Sequence, residues 1–356
     1  MPAPVGTSLC QHCGRTHAED TARCPRTNRS MKDPGPCGSH IDRYLVEKLL
    51  GTGGFGAVYL ARHRRTQAQV ALKVLKAALM TDANVLERFL REATTAASVG
   101  SEHLVRVVDA EVTADQVAFI AMEYLDGEDL KAIVKRERRL HPSRAVELVS
   151  QVLRGLSAAH DKGIVHRDIK PANIFITRVR EPNGTQREHA KVLDFGISKV
   201  LGAAQLTAQG MTMGTPSYMA WEQFHDAREV DARTDLYAVA AMLYELLVGE
   251  VPYDAPNILS LMNKLRIGDR RPMRDVVPWL PVPLCAVVEK GLEKRREWRW
   301  QSAREFLAAL ENVTLLLDPV PPLTPATVEM EEVDLERQLD TRIRRRDLSD
   351  DETLKE

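Results

Sequence analysis

Between His166 and Asn173 the chain reads HRDIKPAN. Four ionisable side chains, His166, Arg167, Asp168 and Lys170, fall within five residues, and Pro171 follows them. Charge and proline collect in any solvated turn, so the stretch reads as a polar turn or as the centre of an active site. Upstream, LGTGGFGAVYLARH carries Gly51, Gly53 and Gly56. A dinucleotide fold would start a helix at the last glycine of such a G-x-G-x-x-G run. Here a β-type run, AVYLA, follows instead. Glycines between two strands make a hairpin whose backbone can lie close over phosphates, and Val58 could cover the flat face of a base. In the next strand, VALKVL, Lys73 alternates to the opposite face from Leu72 and Val74. It reads as an exposed edge lysine or as a cation on nucleotide phosphates. A semi-buried lysine needs an anionic partner. Glu92, about one turn beyond Arg88 in the next helical stretch, is the favoured one, and Glu87 reads as solvated.

The elements that must carry these residues fall into three zones. Residues 1–40 are rich in Cys, Pro, Gly and Thr, and such a segment cannot bury a core unaided. It reads as a metal-stapled module or a flexible arm. Residues 41–312 carry dense apolar patterning. YLVEKLL, AVYLARH, QVALKVL, VRVVDAEV and QVAFIAMEY read as strands, interrupted by one helical stretch, NVLERFLREATTAAS. After Gly127 the pattern turns mostly helical. The expected fold is α+β and bilobal, with a β-rich lobe over about 41–123, a helical lobe over about 126–312 and a cleft between them. Residues 313–356 read as a charged, disordered tail.

Composition narrows the class further. The 356 residues are 44% hydrophobic and 28% charged, as in a soluble globular protein. A formal charge of −1 argues against a protein built mainly to hold nucleic acid or an anionic membrane. The N-terminus lacks a signal-like apolar segment, and YAVAAMLYELLV is too short to span a bilayer, so the chain reads as cytoplasmic.

G-T-G-G-F-G-A-V, V-A-L-K, H-R-D-I-K-P-A-N and D-F-G, in this order, resemble a protein kinase over roughly Tyr44 to Val313. The closest likeness is to the bacterial eukaryotic-like serine/threonine protein kinases. The resemblance implies ATP with Mg²⁺ (or Mn²⁺) as cosubstrates and protein Ser/Thr hydroxyls as acceptors. It makes Asp168 the residue that orients the hydroxyl and takes its proton, and Lys170 the one that offsets charge on the moving phosphoryl group. Asn173 and Asp194 become the Mg²⁺ ligands. Lys73, fixed by Glu92, holds the α and β phosphates. The nucleotide pocket maps to Leu50, Gly51, Thr52, Gly53, Gly54, Phe55, Gly56, Val58, Ala71, Met122, Glu123, Leu125 and Phe175. Arg167 suggests control by a phosphate on the segment from Asp194 to Glu222, with Thr207 and Thr212 as candidate sites. Asp235 is expected to brace the loop around Asp168 or to serve as a plain N-cap. Glu222 and Arg299 match a buried ion pair. The competing reading is a catalytically silent scaffold that binds nucleotide and partners.

Three departures from the family pattern stand out. Trp221 replaces the usual proline, which is expected to loosen the anchor of its segment. ITRVREPNGTQREHAK is longer than usual, and its PNG suggests an extended hairpin. KRREWRWQS replaces an acidic-proline turn and reads as drift or as a docking surface. The arm, with Cys10, Cys13, Cys24 and Cys37, resembles a zinc ribbon. Thr27 stands where the usual fourth ligand would be, so Cys37, His12, His17 or His40 would have to complete a structural Zn²⁺ site. The alternative is a degenerate ribbon or thiol arm. Cys285 reads as core. A regulatory partner is expected to act through the arm or the tail.

Overall fold

A computed structural model describes residues 7–9, 16–18, 37–180, 184–194, 216–225, 230–315 and 317. The first two strands, β1 (Thr7–Leu9) and β2 (Thr16–Ala18), form a small antiparallel hairpin that flanks Cys10 and Cys13 in sequence. Then come β3 (His40–Ile41), β4 (Tyr44–Thr52), β5 (Gly56–His63), β6 (Gln69–Leu75), α1 (Ala83–Ser98), β7 (Val107–Val112) and β8 (Ala118–Glu123). Their strands make one antiparallel sheet in the order β3-β4-β5-β6-β8-β7.

Strand alternation gives this sheet two working faces. Val70 and Leu72 of β6 and Phe119 and Ala121 of β8 point into an outer cluster with Tyr44 and Val46. The next residues along, Ala71 and Lys73, pair with Met122 and Ile120 in register and face the other way. That second face is covered by Phe89 and Ala93 of α1. Asp82 starts α1 by accepting from the amides of Asn84 and Val85. The face that Lys73 shares is therefore the one on which α1 lies.

The helical lobe opens with β9 (Gly127–Asp129), α2 (Leu130–Glu137) and α3 (Pro142–His160). The hairpin β10 (Ile174–Arg180) and β11 (Gln186–Val192) follows, as the PNG signal suggested, and β9 pairs on its other edge. Next are α4 (Glu222–His225), α5 (Ala232–Val248), α6 (Ile258–Ile267), α7 (Met273–Val276), α8 (Val282–Gly291) and α9 (Ala303–Thr314). The last helix thus ends two residues beyond 312, the expected end of the helical lobe. No helix of the described residues is long and apolar enough to cross a membrane.

α5 is the axis of this lobe. It is apolar on every side and almost wholly buried, as expected for a helix packed all round. α8 approaches it closely because Gly291 has no side chain; a Cβ there would lie 2.5 Å from the Cβ of Ala240. The lobes are tied by backbone at Val192, the last residue of β11. Val192 N donates to His103 O at 2.8 Å, and Val105 N donates to Val192 O at 3.0 Å.

One ion pair crosses the base of the helical lobe. Arg299 is fully buried and reaches Glu222 through two bonds of 2.6 and 3.0 Å. The same guanidinium donates to the carbonyls of Glu293 and Lys294 and lies over the Tyr237 ring. Thr234 adds a hydroxyl to Glu222. Trp221 is half-buried against the main core, and the ion pair beside it is formed. Removing one partner strands a buried charge. Arg299→Ala should therefore cost about 3–5 kcal/mol in a urea unfolding titration, whereas Arg304→Ala, at an exposed pair, should cost under about 1 kcal/mol.

Candidate active site

The site grows from Lys73. Its Nζ donates to Glu92 Oε1 at 3.0 Å and to Asp194 Oδ1 at 2.8 Å. Glu92 is buried on α1, one turn before Ala96, while Glu87 is exposed, as the sequence reading had it. Burial alone would drive the lysine towards neutrality, but the two carboxylates outweigh it and hold the amine charged well above its ordinary range. Burial pushes the Glu92 carboxyl up to about 7, with Asp194 and Asp168 adding to the rise and Lys73 opposing it. Burial also works against the charge of Asp194, yet Lys73 holds that carboxyl below the usual range. Two acids thus share one cation at the floor of the cleft.

Facing them is the loop that carries Asp168. It is held from below by Asp235, in the first turn of α5. Asp235 Oδ2 accepts from His166 N and from His160 Nε2, and Oδ1 accepts from Arg167 N, each at 2.8 Å. The N-cap of α5 is Asp231, not Asp235, so Asp235 is free to act as the brace. This clamp holds Arg167 at φ +67°, a conformation that costs energy outside glycine. Asp194 is the second left-handed residue of the site, at φ +41°.

His166 fixes the distance between the two halves. Asp168 N donates to its Nδ1, so Nε2 carries the hydrogen and donates to Leu193 O at 2.8 Å. Leu193 N in turn donates to Asn173 O. Asp168 lies within 2.7 Å of Lys170 Nζ. Asn173 Nδ2 donates to Asp168 O at 2.8 Å and Oδ2 at 3.1 Å, which leaves its amide oxygen available. Gln223 Nε2 reaches Arg167 O, coupling α4 to the same loop.

The predicted nucleotide residues fall on β4, β5, β6 and β8, in the stretch after β8, and on β10. Met122 is buried and borders a small cavity with Lys73, Glu92 and Asp194. Val58, Ala71, Leu125 and Phe175 are half-buried, and Leu50 is exposed at the rim. The glycines are not equivalent. A Cβ on Gly56 would sit 2.1 Å from Val74 O, so that glycine is needed for strand packing. A Cβ on Gly51 or Gly54 would meet no atom within 4 Å; nothing in the protein fills the space beside them. Thr52, Gly53 and Phe55 complete the turn, and Gly53 N donates to Gly56 O. The oxygen donors Asp194, Asn173 and Asp168 suit Mg²⁺, and the open glycine backbone with Lys73 suits phosphates, so these residues fit Mg²⁺–ATP.

The sequence reading missed several supports. Glu123 was expected in the nucleotide pocket. Its carboxylate also accepts from Lys191 Nζ at 2.7 Å and from Arg106 N at 2.8 Å, bracing the junction of the lobes. His160, Gln223 and Lys191 carry no motif that could have marked them. Cys37 is half-buried against the outer sheet cluster, and burial pushes its thiol up, away from the thiolate a metal needs. No group of three His, Cys, Asp or Glu among the described residues could hold a metal. Cys285 is buried core, as expected. Cys10, Cys13, Cys24, Thr207 and Thr212 lie outside the described residues.

Comparison with known proteins agrees with this geometry. The family profile "Protein kinase domain" matches residues 44–303, and the chain belongs to that family. Serine/threonine-protein kinase pkn3 of Myxococcus xanthus is 37% identical over 281 residues, covering 76% of this chain and 50% of the relative. Serine/threonine-protein kinase PknB of Mycobacterium tuberculosis is 38% identical over 281 residues, covering 77% and 44% respectively. The chain thus spans half or less of the length of these curated relatives. The crystal structure of the Mycobacterium tuberculosis PknI kinase domain superposes with a TM-score of 0.60 at 30% identity, covering 77% of this chain and 98% of that one.

Asp235 gives a direct test of the brace. Asp235→Ala leaves two loop amides and His160 without their acceptor and should cost about 3–5 kcal/mol. Asp235→Asn keeps one acceptor oxygen and should lie between that variant and the wild type in the same urea titration.

Proposed function

We propose that the chain is an ATP-dependent protein serine/threonine kinase. The observation that carries this is the convergence of two charged sets on one cleft: Lys73, Glu92 and Asp194 on one side, Asp168, Lys170 and Asn173 on the other. A phosphoryl transfer needs alignment and neutralisation more than covalent help, and these groups supply both. The acceptor Oγ forms its bond to the γ-phosphorus while the bond from phosphorus to the β–γ bridging oxygen breaks. Asp168 takes the hydroxyl proton, and Lys170, 2.7 Å away, offsets the charge that develops. Lys73 holds the α and β phosphates. Asp194 and the free amide oxygen of Asn173 would hold Mg²⁺ (or Mn²⁺), which neutralises phosphate charge when bound.

The finer assignments extend this reading. The catalytic unit is taken as residues 41–312. Lys170 and the threonine of GTPSYM, Thr215, resemble the serine/threonine class, and the Arg167 guanidinium would pair with a phosphate carried by Thr207 or Thr212. A structural Zn²⁺ in the arm would rest on Cys10, Cys13 and Cys24. The β1–β2 register around the first two supports a knuckle, with Cys37, His12, His17 or His40 as the fourth ligand. A zinc assay on the full chain, with Cys13→Ser as control, checks this; metal retained by that variant would overturn it.

The main test is transfer of labelled γ-phosphate to a generic protein substrate and to the chain itself. Asp168→Asn should reduce the rate by about 10²–10⁴-fold. ATP-induced thermal stabilisation without transfer, with either Mg²⁺ or Mn²⁺, would establish a silent scaffold instead.

A further inference from the structure

A wide groove lies away from the glycine turn. It is a cleft of about 840 Å³ in the helical lobe, between α2, α5 and α6, and Lys170 and Tyr218 form part of its wall. That size is in the range, roughly 300–1,000 Å³, of sites that enclose a ligand. Since Lys170 belongs to the reacting loop, whatever fills the groove lies next to the acceptor hydroxyl.

The charges in the groove are unevenly satisfied. Glu245 accepts from the Tyr218 hydroxyl at 2.6 Å, and burial pushes its carboxyl up, towards the neutral form. Glu250 pairs with Arg271. Asp254 and Asp269 stand exposed, where water screens them. Arg270 differs from all of these. Its Nε is buried without a hydrogen-bond partner, and it enters none of the ion pairs among the described residues. Lys131 and Lys264 line the same groove and likewise have no ion pair among the described residues. A buried guanidinium donor left unmade is costly, and a carboxylate is the group that best satisfies its planar fork.

We propose that Arg270, supported by Lys131 and Lys264, forms a subsite for an Asp or Glu side chain of the protein substrate, beside the residue that is phosphorylated. This rests on the kinase reading and names its substrate class. No Asp or Glu occurs between Asp194 and Glu222.

The test uses fluorescein-labelled peptides with one Thr, in which Asp, Ala or Lys is placed in turn at each flanking position. Both binding anisotropy and kcat/KM are measured on the full chain. At one position Asp should improve binding and kcat/KM by about 10-fold over Ala, chiefly through KM, and the gain should shrink with added salt. Arg270→Gln should bring the Asp-to-Ala ratio close to one, Arg270→Lys should retain part of it, and Arg270→Glu should invert it in favour of Lys. Urea titration confirms that each variant folds. Wild-type protein with no position that favours Asp overturns the subsite, and so does a preference that survives in Arg270→Gln. Selective binding of the Asp peptide without phosphate transfer would overturn the kinase reading and leave the subsite standing.

Discussion

A single buried carboxylate organises this molecule. Asp235 sits at the start of the most buried helix, and its two oxygens accept from two successive loop amides and from His160. A loop rich in charge has no reason to hold one shape in water. Here its backbone is pinned to the rigid axis of the helical lobe, so Arg167 stays in a conformation it would otherwise leave. Asp168, Lys170 and Asn173 inherit their positions from that clamp. Precision at the surface of the cleft is thus borrowed from the core beneath it.

The opposite wall obeys a different constraint. Lys73 is placed by strand alternation, which cannot be altered by one residue without turning the whole strand over. It then meets Glu92 from α1 and Asp194 from beyond β11, three residues from three elements. Two carboxyl groups there face one ammonium, and a divalent cation is the group that would balance them. His166 links the walls, since its two nitrogens contact Asp168 N and Leu193 O.

Much of this was legible in the sequence because it is written in local patterns. Alternation in QVALKVL placed Lys73 on one face, and helical spacing chose Glu92 over Glu87. The bilobal α+β division followed from the change of periodicity after Gly127. What was not legible depends on contacts distant in sequence. Lys191 meets Glu123 across 68 residues and His160 meets Asp235 across 75, and neither neighbourhood advertises the other. Asp235 could be read as a cap because caps and braces use the same residue type; only the presence of Asp231 four residues earlier separates them.

The unequal glycines have a mechanical consequence. Gly56 is wedged against Val74, and Lys76 secures the same end through Phe55 O and Gly54 O. At Gly51, on the paired strand, a Cβ would meet no atom within 4 Å, while the backbone itself stays in register with Val58. Val58 is in turn in register with Lys73, so the open space beside the glycine turn and the lysine are fixed to each other through one strand.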